Sequence, residues 1–186
     1  MIQRARNPLV AILLGALVVT LGCRALANVS ADTRTEALEQ GFRLAATDPE
    51  RACELFALAG PGSDLEQARM EVWQRCLEAS DGDAEAWRRY LAQQPPPELE
   101  SAARLDLIEI LVATGDDAGA VAERDLLAEA WRARADELLL SSTDEQVRFA
   151  AGRRLATSSP RRLARRNPEL ERRIVGSLTP EQYLER

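Results

Sequence analysis

The chain contains no histidine and no lysine, so all 24 of its basic residues are arginine. Without histidine, Ser-His-Asp and Cys-His nucleophilic centres within this chain are excluded, and so are His-ligated zinc sites. Without lysine, a P-loop phosphate cradle and Schiff-base chemistry are excluded. Carboxylate acid–base chemistry is the one enzymatic route of this group that survives. Aromatic residues make up only 4% of the chain, and Val and Ile are sparse. No stretch alternates apolar and polar residues as a half-buried strand would.

What is present favours helix. Ala, Leu, Glu and Arg dominate, and these are strong helix formers. Hydrophobic residues reach 46%, too many for a disordered chain and enough for one domain with a real core. The expected fold class is all-α: stacked antiparallel helix pairs, as a short solenoid or an irregular bundle, after an N-terminal signal or anchor segment. Three regions follow from composition: a signal or anchor at residues 1–27, an acidic helical body at 28–158, and an Arg-rich segment of short helices at 159–186.

The charge is uneven along the chain. Asn28 to Val147 holds 26 acidic residues and 11 Arg, a net of −15, whereas Arg148 to Arg173 holds 9 Arg against Glu169 and Glu171, a net of +7. Such asymmetry marks either a binding surface or a basic end that neutralises the acidic body.

Met1 to Cys23 has the layout of a bacterial signal sequence. Arg4 and Arg6 form a basic start, and Pro8 to Gly22 carries no charge, shorter than the span of about 20 residues a transmembrane helix needs. Val19-Thr20-Leu21-Gly22-Cys23 resembles the lipoprotein box, although Thr20 stands where that family usually has Leu. The resemblance implies diacylation of Cys23, which would become the new N-terminus. Ala25-Leu26-Ala27 offers a competing small-x-small cleavage site before Asn28, and an uncleaved anchor is the third outcome. All three place the body outside the cytoplasm, in a bacterial cell envelope and facing the periplasm. Asn28-Val29-Ser30 also matches a glycosylation sequon, which carries little weight in a bacterial-looking protein.

Cys53 and Cys76 remain as a pair once Cys23 is lipidated or removed. Asp48-Pro49 starts one helix, Gly60-Pro61-Gly62 stops it, and Ser63-x-x-Glu66 reads as a capping box opening the next. Both cysteines then lie at the end of an antiparallel hairpin away from its turn. A disulfide there would stabilise it by about 3 kcal/mol, the alternative being two buried thiols.

Further helices follow the punctuation. One starts at Asp83 and ends at Pro95-Pro96-Pro97, and one runs from Pro97 to Gly115. A long one spans Asp117 to Leu140, and Ser142-x-x-Glu145 is a second capping box. Short helices start at Pro160 and Pro168, with a last turn at Pro180. Gly41, Leu44, Ala52, Phe56 and Ala59 resemble a tetratricopeptide unit, and Asp83 to Leu91 is similar to the first helix of another. Asp144, Val147, Arg148, Ala151 and Leu155 resemble the first helix of a HEAT repeat. In that family the Asp and Arg link successive repeats. These resemblances imply protein–protein binding on a concave face, without catalysis.

The candidate binding residues are Arg153, Arg154, Arg161, Arg162, Arg165 and Arg166, continued by Arg172 and Arg173. Guanidinium forks hold carboxylates and phosphates bidentately. They suit the acidic face of an envelope or membrane protein, and contact with anionic lipid, or else they pair internally with the acidic body. Nucleic acid does not fit a chain of net charge −6 whose basic cluster has no interleaved aromatics. Trp73, Trp87 and Trp131 each fall in an apolar stripe and read as core. Asp81, Asp83, Asp116 and Asp117 read as helix caps and supply too few oxygens for a Ca²⁺ loop. No catalytic residue, metal ligand or cofactor is expected. The function expected is a non-catalytic, lipid-anchored adaptor for another envelope protein. An accessory subunit of a membrane complex, held by an uncleaved N-terminal helix, is the alternative. A cell-wall glycan-acting enzyme is a third and weaker reading.

Overall fold

Buried helix stripes can be satisfied only by other helices here, because no strand forms among the described residues. The computed structural model describes residues 30–177. The segment 1–27 with Cys23, the sequon at Asn28 and the turn at Pro180 lie outside them. Ten helices follow in order: α1 (Ala31–Leu44), α2 (Pro49–Ala59), α3 (Glu66–Ala79), α4 (Ala84–Leu91), α5 (Pro97–Thr114), α6 (Asp117–Leu126), α7 (Glu129–Leu139), α8 (Glu145–Ser158), α9 (Pro160–Arg166) and α10 (Pro168–Ser177). Each helix from α1 to α10 packs on its neighbours in sequence, and α5 also contacts α3 and α7. No described helix is long and apolar enough to cross a membrane.

Most boundaries have the expected chemistry. Asp48 accepts the Arg51 N–H at 3.1 Å ahead of Pro49, and Asp83 accepts the Ala86 N–H at 2.8 Å. Asp116 accepts the Gly119 N–H at 3.0 Å. Gly115, at φ 80°, closes α5 in the left-handed conformation that glycine adopts without a Cβ penalty.

Several expectations are corrected. The Ser63 capping box does not form: α3 has no side-chain cap, and Ser63 Oγ is buried without a partner. Glu66 instead holds Arg69, whose side chain is fully buried and also donates Nη1–H to the Phe56 carbonyl at 2.9 Å. A buried guanidinium left unpaired costs far more than a missing cap, so it takes the carboxylate. At α8 the cap is Asp144, which accepts from Gln146 N and Val147 N, while buried Ser142 accepts the Asp144 N–H at 3.0 Å. Asp144 and Arg148 act locally, since Arg148 binds the Ser142 and Thr143 carbonyls.

The long helix expected from Asp117 to Leu140 is two helices. Leu127 and Ala128 are extended at ψ 145° and 149°, with no Gly or Pro to mark the break. Leu127 is driven into the core at 2% exposure while Leu126 is left at 63%. Arg132 folds back to donate its Nε–H to the Leu127 carbonyl at 3.0 Å, satisfying an acceptor freed by the break. The altered register brings Trp131 out to 37% exposure, so only Trp73 and Trp87 of the three tryptophans are core.

The core runs along the whole stack. Phe42 and Phe56 meet edge-to-face at 5.3 Å between α1 and α2. Tyr90 of α4 receives Trp73 at 5.3 Å and Trp87 at 6.1 Å in the same geometry, and its hydroxyl donates to the Met70 carbonyl at 3.2 Å. At the far end Leu155, Leu163 and Ile174 are fully buried, tying α8, α9 and α10 together.

Candidate functional site

Pro160 presets the first turn of α9, and Leu163 is its one buried residue, anchoring a seven-residue helix by a single apolar side chain. The remaining positions must face outward. Arg161 and Arg165 lie one turn apart, as do Arg162 and Arg166, and all four are exposed. Arg153, on α8, is exposed as well.

The arginine cluster divides by what the acidic body offers. Arg154 donates Nε–H to Asp136 Oδ1 at 2.8 Å. The same carboxylate takes Arg124 through Nε at 3.0 Å and Nη2 at 3.0 Å, the paired fork geometry that a guanidinium makes with a carboxylate. Asp136 is 1% exposed and Arg124 mostly buried, while Arg154 reaches the same carboxylate from a partly exposed position on α8. Arg162 reaches the nearly buried Glu137 at 3.0 Å, which Arg134 holds from the other side at 2.9 Å. Arg173 pairs with Glu145 at 3.0 Å across exposed surface. Arg172 donates to the Pro168 carbonyl at 3.3 Å.

Arg153, Arg161, Arg165 and Arg166 have no ion pair among the described residues. Arg154 therefore leaves the expected binding set: it is a structural residue. Arg162 is half engaged. Arg166 lines a polar cavity of about 370 Å³ together with Glu109, Arg134, Glu137 and Asn167. Asp136 was not recoverable from sequence, because an Asp on a helix face between Ala and Glu resembles any solvated acid.

Cys53 and Cys76 do not form the expected disulfide; both are free thiols. They face each other, and the Cys76 thiol also directs toward the Ala45 carbonyl at 3.8 Å. Burial pushes the Cys53 thiol up to about 12, helped by Cys76, and burial raises Cys76 too. Protonated thiols in an apolar hairpin are poor nucleophiles and poor metal ligands. No group of three or more Cys, Asp or Glu side chains among the described residues is arranged to hold a metal ion.

No family model matches the chain, and no curated protein and no solved structure matches it either.

Proposed function

We propose that this protein is an exported helical adaptor, tethered through Cys23, that binds another cell-envelope protein and performs no catalysis. The observation that carries the reading is the division of the arginines. A chain with six more acids than bases neutralises Arg154, Arg162 and Arg173, yet leaves Arg153, Arg161, Arg165 and Arg166 exposed and without an ion pair among the described residues. Unpaired guanidinium forks on a rigid helical surface suit the carboxylates of an acidic protein face, with lipid phosphates as a second anion of the same chemistry. The succession of packed helices suits a repeat-like scaffold of the tetratricopeptide and HEAT kind, which presents an extended surface to a partner. The signal-like start at Arg4, Arg6 and Cys23 supplies the compartment.

Intact mass of the native protein from membrane and soluble fractions tests the tether. A chain beginning at an acylated Cys23 in the membrane fraction is expected. A chain retaining Met1 would instead favour a membrane-complex subunit, and one beginning at Asn28 would keep export but remove the tether. Replacing Arg153, Arg161, Arg165 and Arg166 with Gln should abolish salt-sensitive association with membranes of the cell envelope while leaving thermal stability unchanged.

A further inference from the structure

Four large hydrophobic side chains are exposed among the described residues, and two of them, Leu58 at 38% and Leu65 at 53%, flank one turn. Leu58 is the penultimate residue of α2, and Leu65 stands at the start of α3 with no capping hydrogen bond from its side chain. Between them Gly60 and Gly62 hold φ at 64° and 104°, and Pro61 is exposed at the tip. Single leucines scattered over a surface are ordinary, but here one short turn carries three exposed apolar side chains. A cavity of about 480 Å³ is lined by Ala31, Arg34 and Leu38 of α1 and by Ala59, Pro61 and Ser63 around the turn. The start of α1 and the α2–α3 turn therefore lie at one end of the helix array. Residues 24–29 separate Cys23 from Ser30, a connection that reaches at most about 25 Å. An acyl group on Cys23, or an anchor ending at Gly22, holds a bilayer within that reach of the turn.

We infer that the α2–α3 turn rests on the bilayer that carries the N-terminal attachment, with Leu58, Pro61 and Leu65 in the boundary between headgroups and acyl chains. The inference rests on the membrane attachment proposed above and adds the surface that meets the lipid. Two leucines hold a free protein on a bilayer only weakly. A short tether keeps the turn at an effective concentration on the order of mM, where a weak apolar contact is enough. Arg34, beside the turn and without an ion pair among the described residues, supplies a guanidinium for a lipid phosphate. Asp32 and Asp64 are exposed at the same end and oppose an anionic surface, so the lipid that fits is zwitterionic. The arginine patch belongs to α8 and α9, which do not pack on α1, α2 or α3, so lipid contact at the turn leaves it open to a partner.

The test uses the mature protein purified from membranes and reconstituted into vesicles of phosphatidylcholine with brominated acyl chains, which quench tryptophan. Leu65→Trp adds a reporter at the turn. Arg75→Trp adds an equally apolar one at an exposed position about 15 Å further along α3. The unsubstituted chain gives the background from Trp73, Trp87 and Trp131. Bromination should remove about half of the emission that Leu65→Trp adds, because a side chain in the boundary lies about 5–10 Å deep. It should leave the emission that Arg75→Trp adds unchanged. Leu58→Gln in the Leu65→Trp chain should reduce the quenching about twofold, since it halves the leucine contact. Salt at about 1 M should not reduce it, which separates apolar contact from attraction by the arginine patch. Intact mass of the same sample reads the attachment. With Cys23 acylated or Met1 retained, an unquenched Leu65→Trp, or equal quenching at position 75, overturns this inference alone. So does a blue shift of Leu65→Trp without quenching, because protein rather than lipid then covers the turn. A chain beginning at Asn28 overturns the attachment and this inference together.

Discussion

Asp136 accepts the Nε–H of Arg154 at 2.8 Å in the interior of the stack, and Arg154 Nη2 is buried there without a second partner. With Arg124 on the same carboxylate, one buried acid holds two guanidinium groups. Asp136→Asn leaves Arg154 without its counter-charge and Arg124 with only the exposed Asp125, and should lower unfolding free energy by about 3 kcal/mol. Arg162→Gln removes a pair that is half exposed on the arginine side and should cost no more than about 1 kcal/mol. Urea unfolding of both variants checks the contrast.

The contact of α8 with α10 is set by a missing side chain. A Cβ on Gly152 would lie 2.7 Å from Ile174 Cδ1 and 2.9 Å from Leu170 Cδ2. Gly152→Ala should therefore destabilise by about 1 kcal/mol net, because overpacking outweighs the helix-propensity gain. Gly176→Ala, whose Cβ meets nothing within 4 Å, should be neutral or stabilising. Thermal melts of the two variants measure the difference.

Asp106 makes stability depend on mild acid. Burial raises its carboxyl from 3.8 to about 6, so the folded protein holds a proton that the unfolded chain has lost between those values. Its contribution is full below pH 4 and declines as pH rises through 6. Asp106→Asn should flatten that part of the stability profile and raise the melting temperature at pH 7.

The thiols act at the alkaline end. Cys53 stays protonated up to about 12 in the fold but ionises from about 9 when unfolded, so stability should fall as pH rises from 9 toward 12. Cys53→Ala should reduce that fall. At pH 8 both thiols should be alkylated slowly in the native protein without any reductant, and at once in denaturant. Alkylation only after reduction would show a disulfide.

Much of the helix layout was legible because its punctuation is local. Asp48-Pro49, Asp83, Gly115, Pro160 and Pro168 act through their own backbone, so the sequence around them is sufficient. The break at Leu127 was not legible, since burial of that side chain is a tertiary demand that overrides good helix formers on both sides. The two Ser-x-x-Glu motifs failed for a related reason: Arg69 claims Glu66 from inside the core, and Asp144 lies nearer the α8 start than Ser142. In the arginine cluster the composition could not sort the members. Arg153 and Arg154 are adjacent and chemically identical, and only the position of Asp136 across the stack engages one and leaves the other without an ion pair among the described residues. The disulfide was expected from the hairpin layout alone, and both cysteines are free thiols.

The most direct test of the adaptor reading is photo-crosslinking in intact cells, with benzoylphenylalanine in place of Arg165. Arg165 is exposed, so the replacement leaves the core untouched. One discrete adduct with an envelope protein is predicted, and it should disappear when Arg153, Arg161 and Arg166 are changed to Gln. The same probe in place of Leu126, exposed on α6, should give none. No adduct at position 165, or one that persists without the three arginines, would contradict the account.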